Sequence, residues 1–148
     1  MFDPQAFLDM QVTETNDTQI VPVPVGEYTA IVDKIEMKTW QSRDGASSGL
    51  KLNILWSIDD ENVKALLGRD TVKVKQDIML DLTDSGALDM SKGRNINLGR
   101  LREATNLNQA GQPFSFPMLQ GRLAKVSVSH RINDGVPYAE VKAVARMA

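Results

Sequence analysis

The sequence has no cysteine, which excludes a disulfide framework, a thiolate metal site and a cysteine nucleophile. It has a single histidine, His130, so a histidine pair or a histidine-rich metal site is excluded too. A Ser-His-Asp arrangement would have to use that one imidazole, and no nucleophile turn marks a serine. Ser127 and Ser129 are near His130 in the chain, but strand side chains alternate, so both point to the opposite face. His130 therefore reads as a surface or strand-end residue. No apolar run exceeds three residues, as in Ile54-Leu55-Trp56, far below the ~20 that span a bilayer. The opening MFDPQAFLDMQV lacks the basic and long apolar regions of a secretory signal. These absences lead to the expectation of a soluble, cytoplasmic protein with no membrane partner.

Other absences concern chemistry. There is no Walker loop and no G-x-G-x-x-G. Asp59-Asp60-Glu61 follows a strand and precedes Val63-Lys64-Ala65-Leu66-Leu67, so a turn or helix N-terminus accounts for it. Asp81-Leu82-Thr83-Asp84-Ser85-Gly86 has oxygen donors at positions one, three and five of an EF-hand loop and glycine at six. Position twelve, however, is Lys92 and not the bidentate glutamate, so a turn rich in Asp, Ser and Gly is the expectation. The reading is of a non-enzymatic protein without cofactor or metal.

What is present is an ordinary amount of core material: 148 residues, 42% apolar and 24% charged, enough for one domain. Residues 1–25 read as an acidic N-terminal arm. Asp3-Pro4 can start a short helix over Pro4–Met10, and Val21-Pro22-Val23-Pro24-Val25 is expected to be extended. Residues 26–148 read as a domain with a period of two. Tyr28–Thr39 forms a first strand, with a bulge suggested at Ile31-Val32, and Ser42–Gly49 forms a turn. Leu50, Leu52, Ile54, Trp56 and Ile58 then define one wall of a second strand, and Val72, Val74, Ile78, Leu80 and Leu82 do the same for a third.

Asn97–Leu107 switches to a helical period, with Leu98, Leu101 and Thr105 on one face, Asn97 as cap, and Asn106 or Gly111 as terminator. After a loop anchored by Phe114 and Phe116, Gly121–Arg131 is a fourth strand facing inward through Ala124, Val126 and Val128. Asn133-Asp134-Gly135 is a hairpin turn. Pro137–Met147 is a fifth strand with Ala139, Val141, Ala143 and Ala145 on one face. The order β-β-β-α-β-β predicts a mainly β protein: an OB-fold-like five-stranded Greek-key barrel with an N-terminal arm. An open sandwich is the competing architecture.

Charge is unevenly placed. Residues 1–33 carry six acids and no base, whereas residues 34–148 carry 17 bases and 13 acids. The whole-chain net of −2 thus averages an acidic arm over a modestly basic domain. Single-stranded nucleic acid needs a positive groove for phosphates and a few planar side chains for bases. In an OB barrel that groove is the outer face of strands two and three, framed by the loops joining strands one–two and four–five. The candidates at those places are Trp40, Arg43, Lys51, Asn53, Lys73, Lys75, Arg131 and Tyr138, with Trp40 expected to be exposed between Lys34, Lys38 and Arg43. Strand lysines also serve as ordinary solubility devices, and aromatics are only 5% of the chain, lean for a stacking surface.

Gly26-Glu27-Tyr28-Thr29-Ala30-Ile31-Val32, a glycine-containing hairpin and then Leu50-Lys51-Leu52-Asn53-Ile54-Leu55-Trp56 resemble the opening of phage-encoded OB-fold proteins related to single-stranded DNA-binding proteins. The likeness continues through Leu98–Leu107 and Leu119–Val128, and covers about residues 20–147. It implies protection of single-stranded DNA in phage replication or recombination, with little sequence preference. The implied partners are single-stranded DNA, further copies in a homo-oligomer, and phage replication or recombination proteins. Bacterial single-strand binders usually end in an acidic tail that recruits partners; here the run ends Ala143-Val144-Ala145-Arg146-Met147-Ala148 and the acidic segment is N-terminal. The alternative is a phage structural or assembly module whose arm makes subunit contacts.

Overall fold

The computed structural model describes residues 2–18 and 20–147; Met1, Gln19 and Ala148 lie outside the described residues. Five strands carry the fold: β1 (Gly26–Gln41), β2 (Ser48–Ile58), β3 (Lys73–Met79), β4 (Leu123–Asn133) and β5 (Val136–Ala145). They form one mixed sheet in the order β1-β2-β3-β5-β4 that closes on itself as a ring, because β1 also pairs with β4. All pairings are antiparallel except β3–β5, which is parallel and joined in register at Lys75–Glu140. The described residues also form helices α1 (Pro4–Leu8), α2 (Glu61–Leu67, between β2 and β3) and α3 (Ile96–Ala104, between β3 and β4), and a 3-10 helix at Phe116–Leu119. No helix among the described residues is long and apolar enough to cross a membrane.

The ring's interior follows from the period of two. Leu52, Ile54, Trp56 and Ile58 of β2 are buried with Val74 and Ile78 of β3 and Ala124, Val126 and Val128 of β4. Leu50, at the mouth of that wall, is only partly buried. Fully burying a side chain such as Ile54 contributes roughly 1.5–3 kcal/mol. One inward position is polar: Gln76 is buried and its Oε1 accepts a 2.8 Å hydrogen bond from Trp56 Nε1. That pair satisfies the indole N–H, which would otherwise be costly to bury.

Helix α3 closes one end of the ring with Leu98, Leu101 and Ala104 buried, and buried Thr105 follows. Its start differs from expectation. The N-cap is Asn95, not Asn97, and Asn95 adopts the left-handed conformation with φ 54°. Its side chain does not cap the helix; Oδ1 accepts from the Asp81 amide, and Nδ2 donates to the Asp81 and Asp89 carbonyls. The helix ends as predicted at Asn106, which has φ 62°. The Leu107 amide reaches back 2.7 Å to the Arg102 carbonyl, the long bond of a Schellman motif.

One other boundary moved, and two bulges bear on the strand faces. Helix α1 stops at Leu8 rather than Met10: its five residues bury no side chain, and packing supplies most helical stability. The bulge near Ile31-Val32 is real, with Asp33 the extra residue between the Val32–Trp56 and Lys34–Leu55 pairs. A second bulge in β5 was not foreseen. Val128 pairs with Val141 but Ser127 pairs with Ala143, leaving Lys142 as the extra residue. The bulge reverses the faces beyond it, so Ala143 and Ala145 are exposed, while Val144 packs against the core.

Candidate nucleic-acid interface

The outer face of the ring is built in rows by the strand register. Lys38 of β1, Lys51 of β2 and Met79 of β3 lie side by side; the next rows are Glu36–Asn53–Asp77, Lys34–Leu55–Lys75 and Ile31–Ser57–Lys73. Lys51, Asn53, Lys73 and Lys75 thus share one surface, as the alternation requires. That surface is not uniformly positive. Lys38 pairs with Glu36 at 3.7 Å, Lys51 with Asp77 at 3.6 Å and Lys73 with Asp33 at 2.9 Å. Lys34 on β1 and Lys75 on β3 make no ion pair among the described residues, so unneutralised charge stands at both edges of the face, at the β3 side with Lys75.

At that side lies a groove of about 560 Å³ lined by Lys75, Asp77, Arg131, Asn133, Tyr138, Glu140 and Lys142, with Ala139 and Val141. It sits along the β3–β5 seam, where the two strands meet at a single register pair. Arg131 and Tyr138 face each other across the β4–β5 hairpin, and Tyr138 is 55% exposed. The hairpin is tight because Asp134 and Gly135 both take positive φ, 52° and 78°, as a two-residue turn of this hand requires. Lys142 shares this lining with Tyr138 and Glu140 because strand side chains two apart point the same way. Lys142, Asn133, Asp77 and Glu140 were not among the sequence candidates, because the β3–β5 pairing that brings them together joins strands far apart in the chain.

The other end of the face is different. Trp40 is half-buried, not exposed as expected: its ring lies against Gly49, directly across the β1–β2 ladder. A Cβ at Gly49 would sit 2.9 Å from Trp40 Nε1 and 3.1 Å from Cε2, so only glycine allows this packing. Nε1 is shielded and has no hydrogen-bond partner, and the same holds for Asn53 Oδ1 on the central row. Arg43 projects from the turn, which Asp44 orders by accepting from Ser42 Oγ at 2.6 Å and the Ala46 amide at 2.9 Å. The Ser42 hydroxyl, followed by the Ala46 amide, holds the Asp44 carboxyl below its usual range. The eight predicted residues therefore divide into three sets: a charge-paired centre, a groove with Lys75, Arg131 and Tyr138, and a separate hairpin tip with Trp40 and Arg43.

The remaining chemical candidates have structural partners. His130 Nε2 lies 2.6 Å from the Val23 carbonyl and ties the arm to β4. Asp81 Oδ2 accepts from the Asn95 amide at 2.8 Å, and Thr83 Oγ1 accepts from the Ala87 amide at 3.1 Å, which makes the Asp81–Gly86 segment a hydrogen-bonded turn. Asp60 caps α2 by accepting from the Val63 amide at 3.0 Å. Phe114 and Phe116 pack edge to face at 5.4 Å, and Arg102 lies 4.4 Å over the Phe114 ring. Both rings anchor their loop against the core. No family model matches the chain, and no curated protein matches it significantly.

Proposed function

We propose that the protein binds single-stranded DNA without catalysis, on an OB-fold-like five-stranded Greek-key barrel. The ring order β1-β2-β3-β5-β4, with α3 between β3 and β4, supports that fold. The observation that carries the function is the seam groove. There Lys75, Arg131 and Lys142 line a groove of about 560 Å³ with an exposed Tyr138, beside Glu140 and an Asp77 that pairs with Lys51; cations and a free aromatic face are what a flexible strand requires. Phosphates would run past the cations, and a base would stack on Tyr138. The role that follows is holding exposed strands during replication or recombination, as the resemblance implies.

The test is a salt series of binding to single- and double-stranded oligonucleotides. Single-strand affinity is expected to fall with a log–log slope of about −0.7 per phosphate neutralised. Tyr138→Ala should cost roughly 1–3 kcal/mol of stacking, and Lys75→Ala should make the slope shallower by one contact. No binding at low salt would overturn the reading. A second reading, a protein-interaction or assembly module, is favoured by the carboxylates that neutralise Lys38, Lys51 and Lys73.

A further inference from the structure

Residues 2–25 expose eight large apolar side chains: Phe2, Phe7, Leu8, Met10, Val12, Ile20, Val21 and Val25, from 55% to 84% accessible. The same segment carries Asp3, Asp9, Glu14 and Asp17 and no base. None of those four carboxylates takes part in an ion pair among the described residues. Its last part is anchored to the ring: Val23 is buried in the core, and its neighbour Pro24 accepts a 2.7 Å hydrogen bond from Tyr28 Oη. Five of these side chains, Phe2, Phe7, Leu8, Met10 and Val12, fall within eleven residues of chain, a density of exposed apolar groups that marks an interaction site, and the acidity of the segment calls for a receptor with an apolar floor and a basic rim.

The ring has such a surface, away from the seam groove. Between α3 and β5 lies a groove of about 360 Å³ whose apolar lining is Ile96, Ala104, Val144 and Ala145, with Arg100 and Arg146 at its edge. Ile96 is 51% exposed there, and Glu103, the one acid in the lining, is held by Arg146 at 2.5 Å. The chain's own arm leaves this groove open. We infer that the Phe2–Val12 segment of one copy docks in the α3–β5 groove of a second copy, its apolar side chains on Ile96 and Val144 and its acids toward Arg100. Because arm and groove are different surfaces, the contact is head-to-tail, and copies can add in series or close a ring. The inference does not depend on whether the seam groove holds DNA.

Sedimentation velocity across a concentration series tests it with the full chain. Wild type should show mass increasing with concentration. Phe7→Ser with Leu8→Ser (arm altered) and Ile96→Glu with Arg100→Glu (groove altered) should each stay monomeric. All four positions are exposed, and unchanged circular dichroism checks the fold. Mixing the two variants should restore association only as far as a one-to-one dimer, since one good arm meets one good groove. A monomeric wild type at every concentration, whether from an arm docked on its own ring or one reserved for another protein, would overturn the inference. So would an oligomer that both variants leave intact.

Discussion

The arm and the ring are made of similar side chains, yet one buries them and the other does not. Phe7, Leu8 and Met10 are as apolar as Leu52, Ile54 and Trp56. In β2 the apolar residues recur every second position on an extended backbone, so all reach one face and meet the matching faces of β1 and β3. In the arm, the helical spacing lasts for five residues, and Pro22 and Pro24 lack the amides needed to extend the β1 ladder. Apolar content alone therefore did not decide burial; a sustained period with a partner face did.

The largest expected effect that would break this comparison is in the ring wall. Trp56→Ala should lower stability by about 3–5 kcal/mol in urea unfolding, and a loss comparable to that of an arm substitution would mean the wall is not a packed core. Trp56→Phe, which keeps an aromatic ring but removes the indole's pyrrole half with its N–H, should cost roughly 1–3 kcal/mol because buried Gln76 loses its donor and a small cavity opens. Asn95→Ala comes next. It removes three hydrogen bonds to Asp81 and Asp89 and places alanine at positive φ, for a loss of about 1–3 kcal/mol. At the hairpin, Gly49→Ala should displace the Trp40 ring at a cost of ~1 kcal/mol, read as a red-shifted tryptophan emission.

The joint between the two regions is sensitive to alkaline pH. Burial, with the Asp60 carboxylate adding to it, pushes the Tyr28 phenol above its ordinary value. The neutral phenol is the form that donates to Pro24. Its contribution is thus fully present below the unfolded value of about 10 and is lost as pH rises through the higher folded value. Ultraviolet titration of wild type minus Tyr28→Phe should show this phenol ionising late; ionisation at or below the ordinary value would break the link. The smallest effect belongs to the arm itself, where Phe7→Ser in dilute monomer should change stability by less than ~0.5 kcal/mol.

The walls of β2, β3 and β4 were legible in the sequence because period-two alternation is a local signal. So were the Asp3 and Asp60 helix starts, the Asn106 stop and the Asp134-Gly135 turn, each set by one or two residues. The Gln76–Trp56 bond was not, because its members are on different strands and glutamine at an inward position looks like a break in the pattern. The candidate site was half legible. Alternation put Lys51, Asn53, Lys73 and Lys75 on one face, but which of them a carboxylate would neutralise depended on register with β1 and β3. The β5 bulge turned Ala143 outward and Val144 toward the core without any residue announcing it.

The sequence by itself determined the order of the five strands and of α3, the acidic arm and the inward face of most strands, since those follow from nearest-neighbour geometry. Only the tertiary structure decided that the sheet closes, that Trp40 lies over Gly49, and that Lys75, Arg131 and Lys142 line one groove at the β3–β5 seam. Each of these joins residues far apart in the chain, and the energy that selects them comes from packing and ion pairing between strands, which no single stretch of sequence contains.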